Sequence, residues 1–151
     1  KEPYAYQRLS LQLQAGTLCR AYLAVTKPGF PRAPGSIDAP IGRHPGFDGH
    51  SLRRAVTHHG QPALTHYRLI QGYDHCSLVE LHLETGRTHQ IRVHMAHLGY
   101  PLYGDPMYGG DGQAAPRQAL HAHSMEFIHP RTTAPVKVQV PLPEDLQSLL
   151  H

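Results

Sequence analysis

One stretch of the chain concentrates side chains that can carry acid–base or anion-binding chemistry. Residues 87–94 contain two arginines, two histidines and a glutamine, directly after a strand-like apolar run. Ile91, Met95 and Leu98 recur at helical spacing, so the pattern predicts a strand, a tight turn and a basic helix over residues 88–98. Such a helix can bury its apolar face and direct its cations into a cleft. The alternative is an amphipathic helix whose basic face is simply solvated.

The elements that must position this helix read mainly as strands. Alternating or β-branched apolar segments, which are typical of strands, occupy residues 18–25, 63–70, 77–83, 119–127 and 136–140. Strands outnumber helices and follow one another closely. The sequence therefore predicts an α+β fold with a mixed, largely antiparallel β-sheet and a few flanking helices.

Three further segments complete the prediction. Residues 3–16 begin with proline and end with glycine, which favours a short amphipathic helix, although the alternation of Leu9, Leu11 and Leu13 also allows a strand. Residues 27–50 carry five prolines and five glycines without a sustained period, which predicts a long loop. A short helix is expected from residue 144 onward.

Composition places limits on the class of protein. The 151 residues suffice for one domain, and a net charge of +3 with fourteen histidines suits a polyanionic partner without requiring one. No apolar run approaches the length that spans a membrane, so no membrane association is expected. Cys19 and Cys76 are far apart in sequence. Two buried free thiols in a reducing cytoplasm are expected, with a single disulfide as the alternative.

Four stretches, in chain order, resemble motifs of the RluA-type ribosomal large-subunit pseudouridine synthases. Arg-Ala-Tyr-Leu-Ala at 20–24 is similar to the family's Lys-x-Tyr-x-Ala strand, with Arg in place of Lys. Gly-Arg-Thr-His-Gln-Ile-Arg-Val-His at 86–94 is similar to its central signature. The Gly-Tyr-Pro-Leu-Tyr-Gly-Asp-Pro-Met-Tyr-Gly loop at 99–109 and the closing Leu-His-Ala, Phe-Ile-His-Pro and Pro-Leu-Pro at 120–143 also agree.

The resemblance implies a pseudouridine synthase catalytic domain that isomerises uridine in RNA, breaking the N-glycosidic bond and rejoining the base through carbon. It implies neither a metal nor an organic cofactor, because the protein's own aspartate does the covalent work. That aspartate lies in a His-Arg-Leu-Asp motif, and this string is absent here. Residues 1–151 are therefore expected to be the C-terminal portion of the domain, inactive in isolation, with the motif upstream.

The same resemblance implies roles for particular residues. Tyr22 is expected to lie against the flipped base, and Arg92 to pair with the absent aspartate. Arg87 is the competing partner of that aspartate and could instead bind phosphate. The full set of expected site residues comprises two catalytic ones and four that bind substrate: Tyr22, Arg92, Arg87, His89, Gln90 and Leu120. The expected partner is ribosomal RNA or tRNA, the location cytoplasmic and the oligomeric state monomeric.

Other residues have two readings each. Asp105, which follows Gly104 in a tight loop, is expected to bond loop amides as an Asx turn, with a catalytic role as the alternative. Several arginines on or beside the long loop are phosphate contacts or solvated charge: Arg43, Arg53 and Arg54. The histidines invite a zinc site, but the spacing of His89, His94 and His97, and of His121 and His123, fits no common zinc pattern. The alternative functions are thus a non-catalytic RNA-binding module on the same scaffold and a metal-dependent hydrolase.

Overall fold

A computed structural model describes residues 2–46 and 49–151 and shows a sheet flanked by short helices. The strands are β1 (Cys19–Thr26), β2 (Gly35–Asp38), β3 (Ile41–Arg43), β4 (Arg54–Val56), β5 (Leu64–Gly72), β6 (Ser77–Leu83), β7 (Leu120–Ile128) and β8 (Pro135–Gln139). The helices are α1 (Pro3–Gln14), α2 (Gln90–His97) and α3 (Glu144–Gln147). The five strands and three helices expected from sequence are all present.

Six strands form the main sheet in the order β2-β5-β6-β1-β7-β8, and β3 pairs with β4 in a separate hairpin. Every strand pairing within the described residues is antiparallel. The predicted α+β fold is therefore confirmed. The two central strands, β6 and β1, are joined to neighbours on both sides and form the rigid platform on which the rest of the molecule is arranged.

The sheet carries a hydrophobic cluster on each face, as the side-chain alternation of a strand requires. Leu23 and Val25 of β1 pack with Leu146 of α3 on one face. Ala24, between them in sequence, packs with Met95 of α2 on the other face. Helix α2 is thus fixed against the sheet by its apolar residues, and Arg92 on the same helix borders a cleft.

The long loop predicted for residues 27–50 is wrong in part. Strands β2 and β3 lie within it, and β2 extends the main sheet by pairing with β5. These strands are only four and three residues long, too short to show a period between the prolines that bound them. Residues 47 and 48, which also belong to the predicted loop, lie outside the described residues.

The N-terminal segment is a helix and not a strand, and this helix lies on the surface. Helix α1 has no buried residue, and Tyr6 is 77% exposed. The expectation for the thiols was also half wrong: Cys19 and Cys76 are both free, yet Cys19 is exposed and only Cys76 is buried. None of the helices in the described ranges is long and apolar enough to cross a membrane.

Candidate active site

A cleft of about 410 Å³ lies where β1, α2 and the start of β7 meet. Its lining includes every site residue expected from sequence: Tyr22, Arg87, His89, Gln90, Arg92 and Leu120. These residues come from three segments of the chain, and 98 positions separate Tyr22 from Leu120. Their convergence follows from β1 and β7 being neighbours in the sheet and from α2 crossing the face that they share.

Tyr22 stands at an irregularity of the sheet. The register between β1 and β7 shifts between Ala21 and Tyr22. Ala21 pairs with Ser124 and Tyr22 pairs with Ala122, so His123 has no partner in β1. A bulge of this kind twists the strands locally and redirects side chains. The Tyr22 ring is half-buried against the cluster beneath α2, and its hydroxyl forms no hydrogen bond with any described residue. The phenol is therefore available to a ligand in the cleft.

Arg92 is held by a carboxylate within this chain. Its Nε and Nη2 each donate to an oxygen of Asp105 at 2.8 Å, and the two side chains are 10% and 1% exposed. The hydrogen bonds to Asp105 raise the pKa of Arg92 above its ordinary value. The Asx-turn role expected for Asp105 is wrong, because the Asp105 carboxylate serves as the counter-ion of Arg92.

This pairing also revises the expectation for Arg92. The residue was expected to be the cation that pairs with an aspartate outside this chain. The Nε and Nη2 edge of its guanidinium group, however, already binds Asp105. Its remaining nitrogen, Nη1, has no hydrogen bond among the described residues, and the side chain still borders the cleft. Arg92 can therefore offer a fixed positive charge whose direction is set by Asp105.

Tyr108 joins three parts of the site. Its ring lies 4.8 Å from the Arg92 guanidinium carbon, and its hydroxyl lies 2.7 Å from His89 Nδ1 and 2.9 Å from the Arg54 backbone nitrogen, which donates to it. Burial, and next the charge of Arg92, lower the pKa of His89, which disfavours its protonated form.

Gln90 holds the turn before α2. Its side-chain oxygen accepts from the Arg87 backbone N–H at 2.9 Å and from the Thr85 hydroxyl at 2.7 Å. Its side-chain nitrogen donates to the Leu64 carbonyl at 3.1 Å and to the Thr65 hydroxyl at 3.0 Å. Gln90 is 2% exposed, and all the hydrogen-bonding positions of its amide are used. Although Gln90 lines the cleft as expected, its amide positions Arg87 and is not available for direct contact with substrate.

The histidines expected as an alternative zinc site are not brought together. His94 is fully buried, with Nδ1 at 2.8 Å from the Thr65 hydroxyl and Nε2 at 2.8 Å from the Ala39 carbonyl. Burial lowers the pKa of His94, so it is a neutral core residue. Within residues 2–46 and 49–151, no three His, Cys, Asp or Glu side chains are grouped closely enough to hold a metal ion.

The sequence of this chain matches a known protein family. The sequence model described as RNA pseudouridylate synthase matches residues 1–97, which include the strand of Tyr22 and the whole of α2. The chain belongs to the RNA pseudouridylate synthase family. Within it, the RluA-type resemblance noted from the motifs is confirmed by relatives described as ribosomal large subunit pseudouridine synthase D.

The similarity to other pseudouridine synthases extends over almost the whole chain. The uncharacterised RNA pseudouridine synthase YjbO of Bacillus subtilis is 45% identical over 150 residues, which are 99% of this chain and 52% of that protein. Ribosomal large subunit pseudouridine synthase D of Nitrosomonas europaea is 46% identical over 152 residues, 95% of this chain and 43% of that protein. The chain thus spans about half the length of these curated relatives.

A solved pseudouridine synthase structure agrees with the fold. Human RNA pseudouridylate synthase domain containing 1 superposes with a TM-score of 0.79 at 27% identity, covering 98% of this chain and 65% of that one. A second human pseudouridylate synthase structure, domain containing 4, has a TM-score of 0.76 at 21% identity, which supports the fold alone.

One charged residue of the cleft, Arg20, was not among the site residues expected from sequence. Arg20 lines the cleft beside Tyr22, and its Nε and Nη2 are buried without a hydrogen-bond partner among the described residues. A Cβ at Gly86 would lie 3.1 Å from Nη2, so glycine leaves room for the guanidinium. The signal was present, because residues two apart on a strand share a face, and Arg20 stands two before Tyr22.

Proposed function

We propose that residues 1–151 form the C-terminal portion of a catalytic domain that converts uridine to pseudouridine in ribosomal RNA or tRNA in the cytoplasm. The observation that carries this proposal is the convergence of the expected site residues on one cleft around Tyr22. Family membership supports the reaction class. The cleft supplies a place in which one nucleotide can be separated from its neighbours.

Uridine in folded RNA is stacked, so it must be flipped out before its glycosidic bond can be reached. Flipping costs a few kcal/mol, which contacts inside the pocket offset. The ring of Tyr22 offers a stacking surface, and Leu120 adds an apolar wall. The unbonded phenol of Tyr22 is positioned to exchange a proton with the base or the sugar.

The nucleophilic aspartate, in this proposal, comes from outside residues 1–151. None of the described residues that line the cleft is acidic. Asp105 lies behind Arg92 with both carboxylate oxygens bonded to it and is 1% exposed, so Asp105 cannot attack a sugar carbon. Arg20 and Arg92 both line the cleft, and their guanidinium groups are the cations that an incoming carboxylate would approach. Two cations there would keep that carboxylate ionised.

The experiment uses the full-length protein on unmodified transcripts of ribosomal RNA and tRNA, with pseudouridine mapped along each. We expect pseudouridine at one or a few positions of one RNA class. Tyr22→Phe, which keeps the ring and removes the hydroxyl, should slow its formation at least tenfold. Tyr6→Phe, an equivalent change on the exposed face of α1, should leave the rate unchanged. Absence of pseudouridine with both RNA classes, or equal rates for the two variants, would contradict the proposal.

A further inference from the structure

A second, strongly basic pocket adjoins the cleft. It has a volume of about 360 Å³ and shares Gly86 and Arg87 with the cleft, so the turn before α2 separates the two spaces. Four of its lining residues are basic: Arg43, Arg54, His59 and Arg87. No described residue in the lining carries a carboxylate. The pocket therefore has the charge of an anion site, and it opens next to the expected position of the nucleotide.

Two of these arginines face each other across the β3–β4 hairpin. Arg43 and Arg54 are directly opposed partners in its antiparallel register. The Arg54 guanidinium has no ion pair or hydrogen bond with any described residue. The Arg54 side chain is therefore available to an anion in the pocket.

The hairpin is held in place by neutral contacts. The Arg54 backbone N–H donates to the Tyr108 hydroxyl at 2.9 Å, and Ile41 exchanges two backbone hydrogen bonds of 2.9 Å with Gln61. The position of the pocket therefore does not depend on the guanidinium groups, and a change of the Arg54 side chain leaves these backbone contacts intact.

Glycines keep the floor of the pocket open. A Cβ at Gly60 would lie 2.5 Å from the carbonyl carbon of Ile41, and a Cβ at Gly42 would lie 2.6 Å from the Thr57 methyl group. The two segments therefore approach each other at backbone distance. Because no side chain projects from Gly42 or Gly60, the pocket beside these glycines is lined by the arginine side chains.

Arg87 links the pocket to the cleft. Its Nε donates to the Pro62 carbonyl at 2.9 Å and its backbone N–H to Gln90 at 2.9 Å, so both ends of the residue are fixed. Neither Nη1 nor Nη2 has a hydrogen bond with a described residue. Arg87 can thus present a guanidinium edge at the boundary of the two spaces.

We propose that this pocket binds a backbone phosphodiester of the RNA, next to the nucleotide that occupies the cleft. The inference rests on the proposed function. Guanidinium groups match phosphate oxygens with paired, charge-assisted hydrogen bonds, and phosphate contacts supply most of the affinity of such proteins for RNA.

The test compares two small probes by NMR on the 151-residue chain: uridine and the dinucleotide uridylyl-uridine, which adds one phosphodiester. We expect uridine to shift signals of the cleft, such as the amide of Ala21. The dinucleotide should shift these and also the amides of Gly42 and Gly60. Arg54→Ala should weaken binding of the dinucleotide about tenfold and remove the glycine shifts, but leave the response to uridine unchanged. Arg68→Ala, which removes an equal charge from β5 outside both linings, should change neither response.

The outcomes separate the two proposals. If the cleft responds to both probes and Gly42 and Gly60 do not move, the phosphodiester pocket is wrong and the proposed function stands. If neither probe moves the cleft signals, both are overturned. A melting temperature of Arg54→Ala equal to that of the parent shows that its effect is not one of folding. In titrations with a folded RNA, the same variant should reduce the slope of log affinity against log salt by roughly one half to one unit.

Discussion

The two walls of the cleft are built in different ways. On the α2 wall, polar side chains have partners within the chain: Arg92 with Asp105, His89 with Tyr108 and Gln90 with the turn. On the β1 wall, the buried Nε and Nη2 of Arg20 have no partner among the described residues, and the phenol of Tyr22 is also unbonded.

The polar groups of the α2 wall are satisfied by contacts within this chain, whereas those of the β1 wall have hydrogen-bonding capacity left for another group. Buried polar groups in folded proteins are nearly always hydrogen-bonded, and an unmet one costs about 1–3 kcal/mol. The α2 wall contributes to stability through its own contacts. The β1 wall retains unmet donors beside an aromatic ring, which is the arrangement expected where a substrate or an external carboxylate completes the site.

The largest effect is expected on the α2 wall. Arg92→Ala leaves the Asp105 carboxylate buried without its partner, which costs about 3–5 kcal/mol. Urea unfolding of the 151-residue chain measures this loss directly. Arg87→Ala is the matched control, because Arg87 is half-buried with one side-chain hydrogen bond to a carbonyl, and it should cost about 1 kcal/mol.

In the full-length protein, Arg92→Ala should also reduce pseudouridine formation far more than Arg87→Ala. Arg92→Lys keeps the charge but loses the two-pronged contact with Asp105, so its rate should fall between those of the parent and Arg92→Ala. A larger rate loss for Arg87→Ala would transfer the role expected of Arg92 to Arg87.

A smaller, pH-dependent effect is expected beneath the same wall. Burial lowers the pKa of His94 in the folded state, whereas in the unfolded chain it is near 6.5. Below that pH the unfolded state takes up a proton that the folded state excludes, so stability is full above about pH 6.5 and decreases as the pH falls. The parent should lose about 1 kcal/mol more than His94→Gln between pH 7 and 5.5. Urea unfolding at both values, with exposed His59→Gln behaving as the parent, measures this, and parallel profiles for the parent and His94→Gln would contradict it.

The smallest effect on stability is expected on the β1 wall. Arg20→Met keeps most of the side-chain volume and removes donors that have no acceptor, so the free energy of unfolding of the 151-residue chain should change by less than about 1 kcal/mol, or rise. The same variant in the full-length protein should slow pseudouridine formation. A loss of stability as large as that of Arg92→Ala would show that Arg20 has a partner within the chain and would remove the contrast between the walls.

Helices and strands could be predicted from sequence wherever they were long enough to show a periodic pattern of apolar residues. Strand β6 was predicted with the bounds that are observed, and α2 within two residues at each end. The hairpin of β3 and β4 escaped prediction because three-residue strands carry no measurable alternation. For α1, the sequence indicated a helix but could not show that the helix would remain exposed, since burial depends on what lies opposite.

The residues of the cleft could be predicted from the motifs, whereas the hydrogen bonds and ion pairs between them could not. Tyr22 and Arg92 were singled out, and both line the cleft. The partner of Arg92 was missed because Asp105 is thirteen residues away in a loop whose path only the tertiary structure determines. Gln90 was taken for a substrate contact because a polar residue in a functional motif does not reveal whether it faces inward.

We propose that this chain forms the cleft and that the nucleophile comes from outside residues 1–151. An assay for pseudouridine in RNA transcripts, performed in parallel with residues 1–151 and with the full-length protein, tests this proposal. We expect no pseudouridine from residues 1–151 and pseudouridine from the full-length protein under the same conditions. Formation of pseudouridine by residues 1–151 alone would contradict it, and failure of the full-length protein would instead support a non-catalytic RNA-binding module.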